Sequence, residues 1–191
     1  MLRHDLGSYD VPTIALVGIM GVGKTTVGRR LAKRLGREFF DSDEEIEAAS
    51  GRSVAGYFRD HGEKDFREGE KRVIQRLVAP ETKSPPIILA TGGGAFTHEV
   101  TRNILNESAL TVWLKGDIET LVERVMRNDK RPLLQVEDPR AKMVELLDKR
   151  SPLYAQAHVH VKIAKGPHMR TVNRVLRQIQ KYLEAQKTSN S

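Results

Sequence analysis

Cysteine is absent from this 191-residue chain. That removes disulfides, thiolate zinc sites and a cysteine nucleophile together, and it leaves a reducing compartment fully compatible. Aromatic residues make up 5% of the sequence, so a base-stacking surface for single-stranded nucleic acid would have few rings to use. Long hydrophobic runs are missing as well. The longest near-apolar stretch, Ile14 to Gly23, is ten residues with three glycines and runs straight into Lys24. A membrane span needs about 20 apolar residues. The opening MLRHDLGSYD holds two aspartates and no apolar core, so a signal peptide is not expected and a cytoplasmic protein is.

What is present is charge, mostly of one sign. There are 32 Lys+Arg against 25 Asp+Glu, a formal net charge of +7. The excess is local: residues 162–191 hold seven basic residues and one acid, Glu184, leaving the rest of the chain close to neutral. Arg170, Arg174, Arg177 and Lys181 recur at helical spacing opposite Val172, Val175, Leu176, Ile179 and Leu183. This basic helix, expected over about 168–186, reads as the solvated face of a docked amphipathic element, with an anionic partner surface as the alternative.

At 39% hydrophobic and 30% charged, the chain has the composition of a folded domain. Short apolar runs, Thr13–Val17, Glu38–Phe40, Ile87–Ala90, Leu110–Leu114 and Val159–Ile163, alternate with amphipathic stretches. Val27, Leu31 and Leu35 mark one helix that ends at Gly36. Ser42 with Glu45 predicts a capping box at the start of another. Ser53–His61 and Glu63–Val78 read as two helices parted by Gly62, and Arg140–Lys149 and Pro152–Ala157 as two more. Residues 79–86 hold three prolines and form a loop. Five strands alternating with helices predict an α/β fold, a parallel sheet flanked by helices, with its sites at the C-terminal ends of the strands.

Gly18-Ile19-Met20-Gly21-Val22-Gly23-Lys24-Thr25 sits after the first strand and before the first helix, and fits the G-x-x-x-x-G-K-S/T phosphate loop, followed by Thr26. Its glycines let consecutive backbone N–H groups curl around phosphate oxygens, Lys24 reaches the β- and γ-phosphates, and the Thr25 hydroxyl suits magnesium. Motor-type P-loop ATPases usually end an apolar strand in aspartate. Here Ile87–Ala90 ends instead in Thr91 and the triplet Gly92-Gly93-Gly94. A carboxylate must then come from Asp41-Ser42-Asp43. Ser42 and Asp43 could simply cap the next helix, or one aspartate could join a magnesium shell while the other accepts a hydrogen bond from a substrate hydroxyl. Arg67 could pair with Glu70 at i, i+3, or offer a planar fork to a carboxylate. Arg131 lies in a polar segment, about 128–139, where a lid would belong, and Arg150 is expected at a helix end. His158-Val159-His160 imitates a metal pair but has no convincing third ligand, and Trp113 reads as core.

Taken in order, GIMGVGKTTVGRRLA, FFDSDEEIE, GEKDFREGE, ATGGGA, DKRPLL and KRSPLY resemble the shikimate kinases, over nearly the whole stretch from Thr13 to Ile163. The resemblance implies a single nucleoside-monophosphate-kinase-like domain, three-layered, with a substrate-binding segment over about 41–78 and a mobile lid. It implies transfer of the γ-phosphate of ATP to the 3-hydroxyl of shikimate, with one Mg²⁺. By position, Gly21, Val22, Gly23, Lys24, Thr25 and Thr26 would cradle ATP, and Asp41 would share the metal with Thr25. Asp43 would hold or deprotonate the attacking hydroxyl. Arg67 and Arg150 would clamp the carboxylate beside Gly92, Gly93 and Gly94. Arg131 would reach the phosphates, and Arg124, with Pro167 or His168, would enclose adenine. Shikimate and ATP are the expected partners, nucleic acid and membrane are not, and a monomer is expected. A gluconate or nucleotide kinase of the same fold, or a nucleic-acid-binding P-loop protein, is the rival reading.

Overall fold

In the computed structural model, the described residues are 6, 11–79, 85–126, 138–164 and 166–189. The elements run β1 (Ile14–Val17), α1 (Lys24–Leu35), β2 (Phe39–Asp41), α2 (Ser42–Ser50), α3 (Val54–Val78), β3 (Ile88–Ala90), a 3-10 turn (Ala95–Thr97), α4 (Glu99–Ser108), β4 (Leu110–Lys115), α5 (Ile118–Met126), α6 (Pro139–Tyr154), β5 (Val159–Lys162) and α7 (His168–Ser189). The strands form one sheet in the order β2-β3-β1-β4-β5. Every pairing in it is parallel, with Ile14 opposite both Ile88 and Leu110. The expected α/β architecture is present.

The central strand explains itself. Ile14, Ala15, Leu16 and Val17 are all fully buried, which a strand covered on both faces requires. Right-handed crossovers then sort the helices. The β1-to-β2 connection runs one way across the sheet and every later connection runs the other, which separates α1 from α3, α4 and α6. α7 returns to join α1 and rests on β5. Val172, Val175, Leu176 and Ile179 of α7 are fully buried while Arg170, Arg174, Arg177 and Lys181 are exposed. Because the direction of winding reverses beside β1, the loop after β1 faces the loops after β2 and β3 at one end of the sheet.

Two details differ from the sequence reading. β2 runs one residue further than expected, into Asp41, and Asp41 rather than Ser42 is the N-cap of α2, its carboxylate accepting from Asp43 N at 3.0 Å. Both residue types cap well, and the extended backbone at Asp41 (φ −116°, ψ 122°) selects it. Gly62, by contrast, parts α3 into two helical stretches as expected, its φ 80° and ψ 175° being non-helical. Pro152 does not break α6. It lies in the last turn, where its missing N–H removes one helical bond, and the turn still closes through Ala155 N to Ser151 O at 2.9 Å.

Candidate active site

The loop after β1 is built from backbone. Gly23 caps α1 in the left-handed region (φ 96°, ψ 27°), a conformation that a side chain would strain, and so turns the first free N–H groups of the helix toward the loop. Val22 is fully buried, so its contribution to the loop is its peptide alone. Lys24 is 8% exposed, and its amine donates to Gly18 O at 2.7 Å and Ile19 O at 3.0 Å, closing the loop upon itself. The Thr26 carbonyl accepts from Arg30 at 3.2 Å. Arg124, on α5, donates to Val22 O at 3.3 Å and lies against Gly23. His168, at the start of α7, has its pKa lowered by burial first and then by Arg30 and Arg124.

Asp41 has two partners in the structure. Asp41 Oδ1 caps α2, and Oδ2 accepts from the Thr25 hydroxyl at 2.6 Å. A carboxylate and a hydroxyl that touch beside a phosphate loop form a hard-oxygen donor pair suited to Mg²⁺. Among the described residues no three His, Asp or Glu side chains gather as a metal cluster. Mg²⁺ needs no such cage, since it usually keeps waters and takes one or two protein oxygens plus phosphates. The His158–His160 pair is structural: His158 Nδ1 accepts from Thr111 N at 3.1 Å, and His160 contacts Ala155 O at 3.0 Å.

The loop after β3 is the meeting point of side chains from four segments. A Cβ on Gly92 would lie 2.5 Å from Asp43 Oδ1 and 3.0 Å from Glu70 Oε1. A Cβ on Gly93 would lie 3.2 Å from the Met20 backbone nitrogen of the phosphate loop, and one on Gly94 would enter the Arg67 guanidinium. Only glycine admits such close approach at consecutive positions. Ser42, freed from capping, accepts from Gly92 N at 2.8 Å and fixes the triplet to α2. From α6, Arg150 donates to Gly93 O at 3.3 Å, and the Tyr154 hydroxyl donates to the same carbonyl. Asp43, Arg67, Arg150 and the triplet, predicted from separate motifs, are therefore brought together. Arg150 sits within continuous α6 instead of at a helix end. Arg131, the rest of 127–137 and hence most of the expected lid lie outside the described residues.

Arg67 makes the i, i+3 pair that the sequence allowed. It donates to Glu70 Oε2 at 2.7 Å, and this pair is buried, with side-chain exposures of 14% and 1%. Phe58 and Phe66 lie against its guanidinium. Glu70 Oε1 has no hydrogen-bond partner among the described residues. Burial pushes the Glu70 pKa up, and Arg67 opposes that push while Asp43 and Glu63 add to it. Two residues escaped the sequence reading as site residues: Ser42, taken for a cap, and Tyr154, seen only as part of a motif. Spacing carries no signal for either contact, since each is a bond to backbone 50 or 61 residues away.

Known proteins answer to the same arrangement. The shikimate kinase family model matches residues 20–181. A shikimate kinase of Caulobacter vibrioides is 50% identical over 176 residues, 92% of this chain and 86% of that protein. The solved structure of a shikimate kinase from Acinetobacter baumannii in complex with shikimate is 40% identical, with a TM-score of 0.84 over 92% of this chain and 96% of that one. A gluconokinase from Sinorhizobium meliloti, at 19% identity and a TM-score of 0.58 over 94% of this chain and 98% of that one, shares the fold alone. The chain belongs to the shikimate kinase family.

Proposed function

We propose that this chain transfers the γ-phosphate of ATP to the 3-hydroxyl of shikimate, giving shikimate 3-phosphate and ADP, with the work divided between the two loops. Phosphoryl transfer asks little covalent chemistry of a protein, so positioning and charge stabilisation supply the rate. The phosphates lie along Gly21–Thr26, on backbone N–H groups at the head of α1, with Lys24 swinging from its carbonyl partners to the β- and γ-oxygens. Arg124 and His168 enclose the adenine. Arg67 and Arg150 take the substrate carboxylate, and Asp43 accepts the hydrogen bond of the attacking hydroxyl. That oxygen bonds to the γ-phosphorus as the bond to the β–γ bridging oxygen breaks. Arg131, outside the described residues, completes the charge set from a lid over about 128–139, and 41–78 serves as the acid-binding segment.

Thr25 and Asp41 hold Mg²⁺ in this reading. Held there, the ion would supply positive charge against the negative charge that builds on the transferring phosphate. The protein acts as a cytoplasmic monomer, and among the described residues no helix is long and apolar enough to cross a membrane.

The observation that carries the reading is the position of Gly93. Its Cα side abuts Met20 of the phosphate loop while its carbonyl receives Arg150 and Tyr154. A small carboxylate held there has its hydroxyls within reach of a γ-phosphate. ADP release measured with shikimate, gluconate, AMP and an oligonucleotide tests it. Turnover with shikimate and none with the others is expected, and turnover with gluconate or AMP but none with shikimate would refute it.

A further inference from the structure

The Gly93 carbonyl is an unusual acceptor, because two side chains of one helix reach it. Arg150 and Tyr154 are four residues apart on α6 and so share a face one turn apart. The two bonds are not equivalent. The Tyr154 ring is 1% exposed and wedged between Phe96 (centroids 6.5 Å apart, stacked) and Trp113 (5.9 Å), which fixes its hydroxyl beside Gly93 O and within hydrogen-bond reach of Arg150. The Arg150 contact, at 3.3 Å, is long. A rigid phenol therefore sets where the carbonyl stands, and the arginine leans on it with one N–H of its five.

The ring is also a mechanical link between the two loops. Trp113, against Tyr154, lies on β4 where its Cδ1 would be 3.4 Å from a Cβ on Gly18, the first residue of the phosphate loop. Tyr154 thus reaches the β3 loop through its hydroxyl and the β1 loop through Trp113. The phenol feels both clamp arginines: burial raises its pKa, and Arg150 first and Arg67 after it oppose that.

Resting on the proposed shikimate reading, we infer that Tyr154 is a positioning residue for acid recognition. Its hydroxyl occupies one lone pair of Gly93 O, so that Arg150 keeps its guanidinium turned to the cleft and the triplet backbone stays at the depth the carboxylate needs. Without the hydroxyl, the carbonyl has an empty lone pair, and Arg150 is the nearest donor. The guanidinium collapses onto the backbone and its planar fork is spent there instead of on substrate.

Tyr154→Phe keeps the ring, its stack and its volume, and removes one oxygen. The KM for shikimate should rise about tenfold, the size expected when one hydrogen bond to a buried group is lost. The KM for ATP and kcat should stay within about twofold, since this is lost binding of one substrate only. A purely structural role would instead lower the melting temperature and shift all three constants together, and that pattern overturns the inference. So does an unchanged shikimate KM in a variant beside an active wild type. A double-mutant cycle closes the argument: in an Arg150→Ala background the Tyr154→Phe effect on shikimate KM should fall below about threefold, because the hydroxyl acts through Arg150. A full tenfold effect in that background removes Arg150 from the inference and overturns it. A wild type inactive on shikimate defeats the functional reading itself, and the inference with it.

Discussion

The phosphate loop and the loop after β3, proposed to bind the substrate acid, stand side by side at the end of one sheet and are made in opposite ways. Residues 18–25 are contiguous and act through peptide groups, with Val22 buried and Lys24 tied to carbonyls of its own loop. The acid side is assembled from Asp43 on α2, Arg67 and Glu70 on α3, the triplet after β3, and Arg150 and Tyr154 on α6. An anion with several equivalent oxygens suits a ring of N–H groups. A ligand with one carboxylate and distinct hydroxyls needs side chains whose directions are individually fixed. The first can be written in eight residues, and the second requires a finished fold.

Substitutions can break this contrast at graded cost. The largest effect is expected for Asp43→Asn, which leaves volume and ATP binding in place while kcat falls about 10²- to 10⁴-fold, the range for loss of a positioned proton acceptor. Single-turnover kinetics with separately measured ATP binding tests it, and near-normal turnover would refute the role of Asp43. Next comes Arg67→Ala. It removes a clamp charge and strands buried Glu70, so shikimate KM should climb about 30-fold or more while ATP KM holds. Unaltered shikimate kinetics would remove Arg67 from the clamp.

A pair of alanines sharpens the comparison with smaller steps. Gly23→Ala forces a side chain to φ 96° and should disturb ATP KM and stability, at a cost of about 1–2 kcal/mol. Gly92→Ala pushes a methyl into Asp43 and Glu70 and should act on shikimate KM and kcat while sparing ATP KM. If both variants changed the same constant, the two loops would not be separable. The smallest effect belongs to a residue outside both. His158 is kept neutral, its pKa lowered by burial, while Nδ1 accepts from Thr111. Its contribution to stability is complete above the ordinary value of 6.5 and is lost as pH falls through the lowered one. Melting temperatures followed from about pH 7 to about pH 5 should decline less steeply in His158→Asn, and parallel slopes would exonerate the residue.

The contrast also explains what could be read in advance. The phosphate loop, the parallel sheet and α1 follow from adjacent residues and hydrophobic period, and they were legible. Asp43, Arg67 and Arg150 were visible as residues suited to a site, and the family resemblance assigned them roles that spacing could not. Local rules failed where two of them competed. Asp41 and Ser42 are both good caps, and only the end of β2 decides between them. Pro152 usually ends a helix, but in a last turn it forfeits little. Tyr154 was invisible because its partner is a carbonyl, a group every residue carries.

Asp41 deserves a final consequence. One of its oxygens begins α2 and the other holds Thr25, so the helix that bears Asp43 starts from an atom group fastened to α1. The start of α2 and the placement of Asp43 against the phosphate loop therefore depend on the same carboxylate. A substitution of Asp41 therefore acts on helix initiation and on the Thr25 contact at once, so stability and the geometry beside the phosphate loop change together.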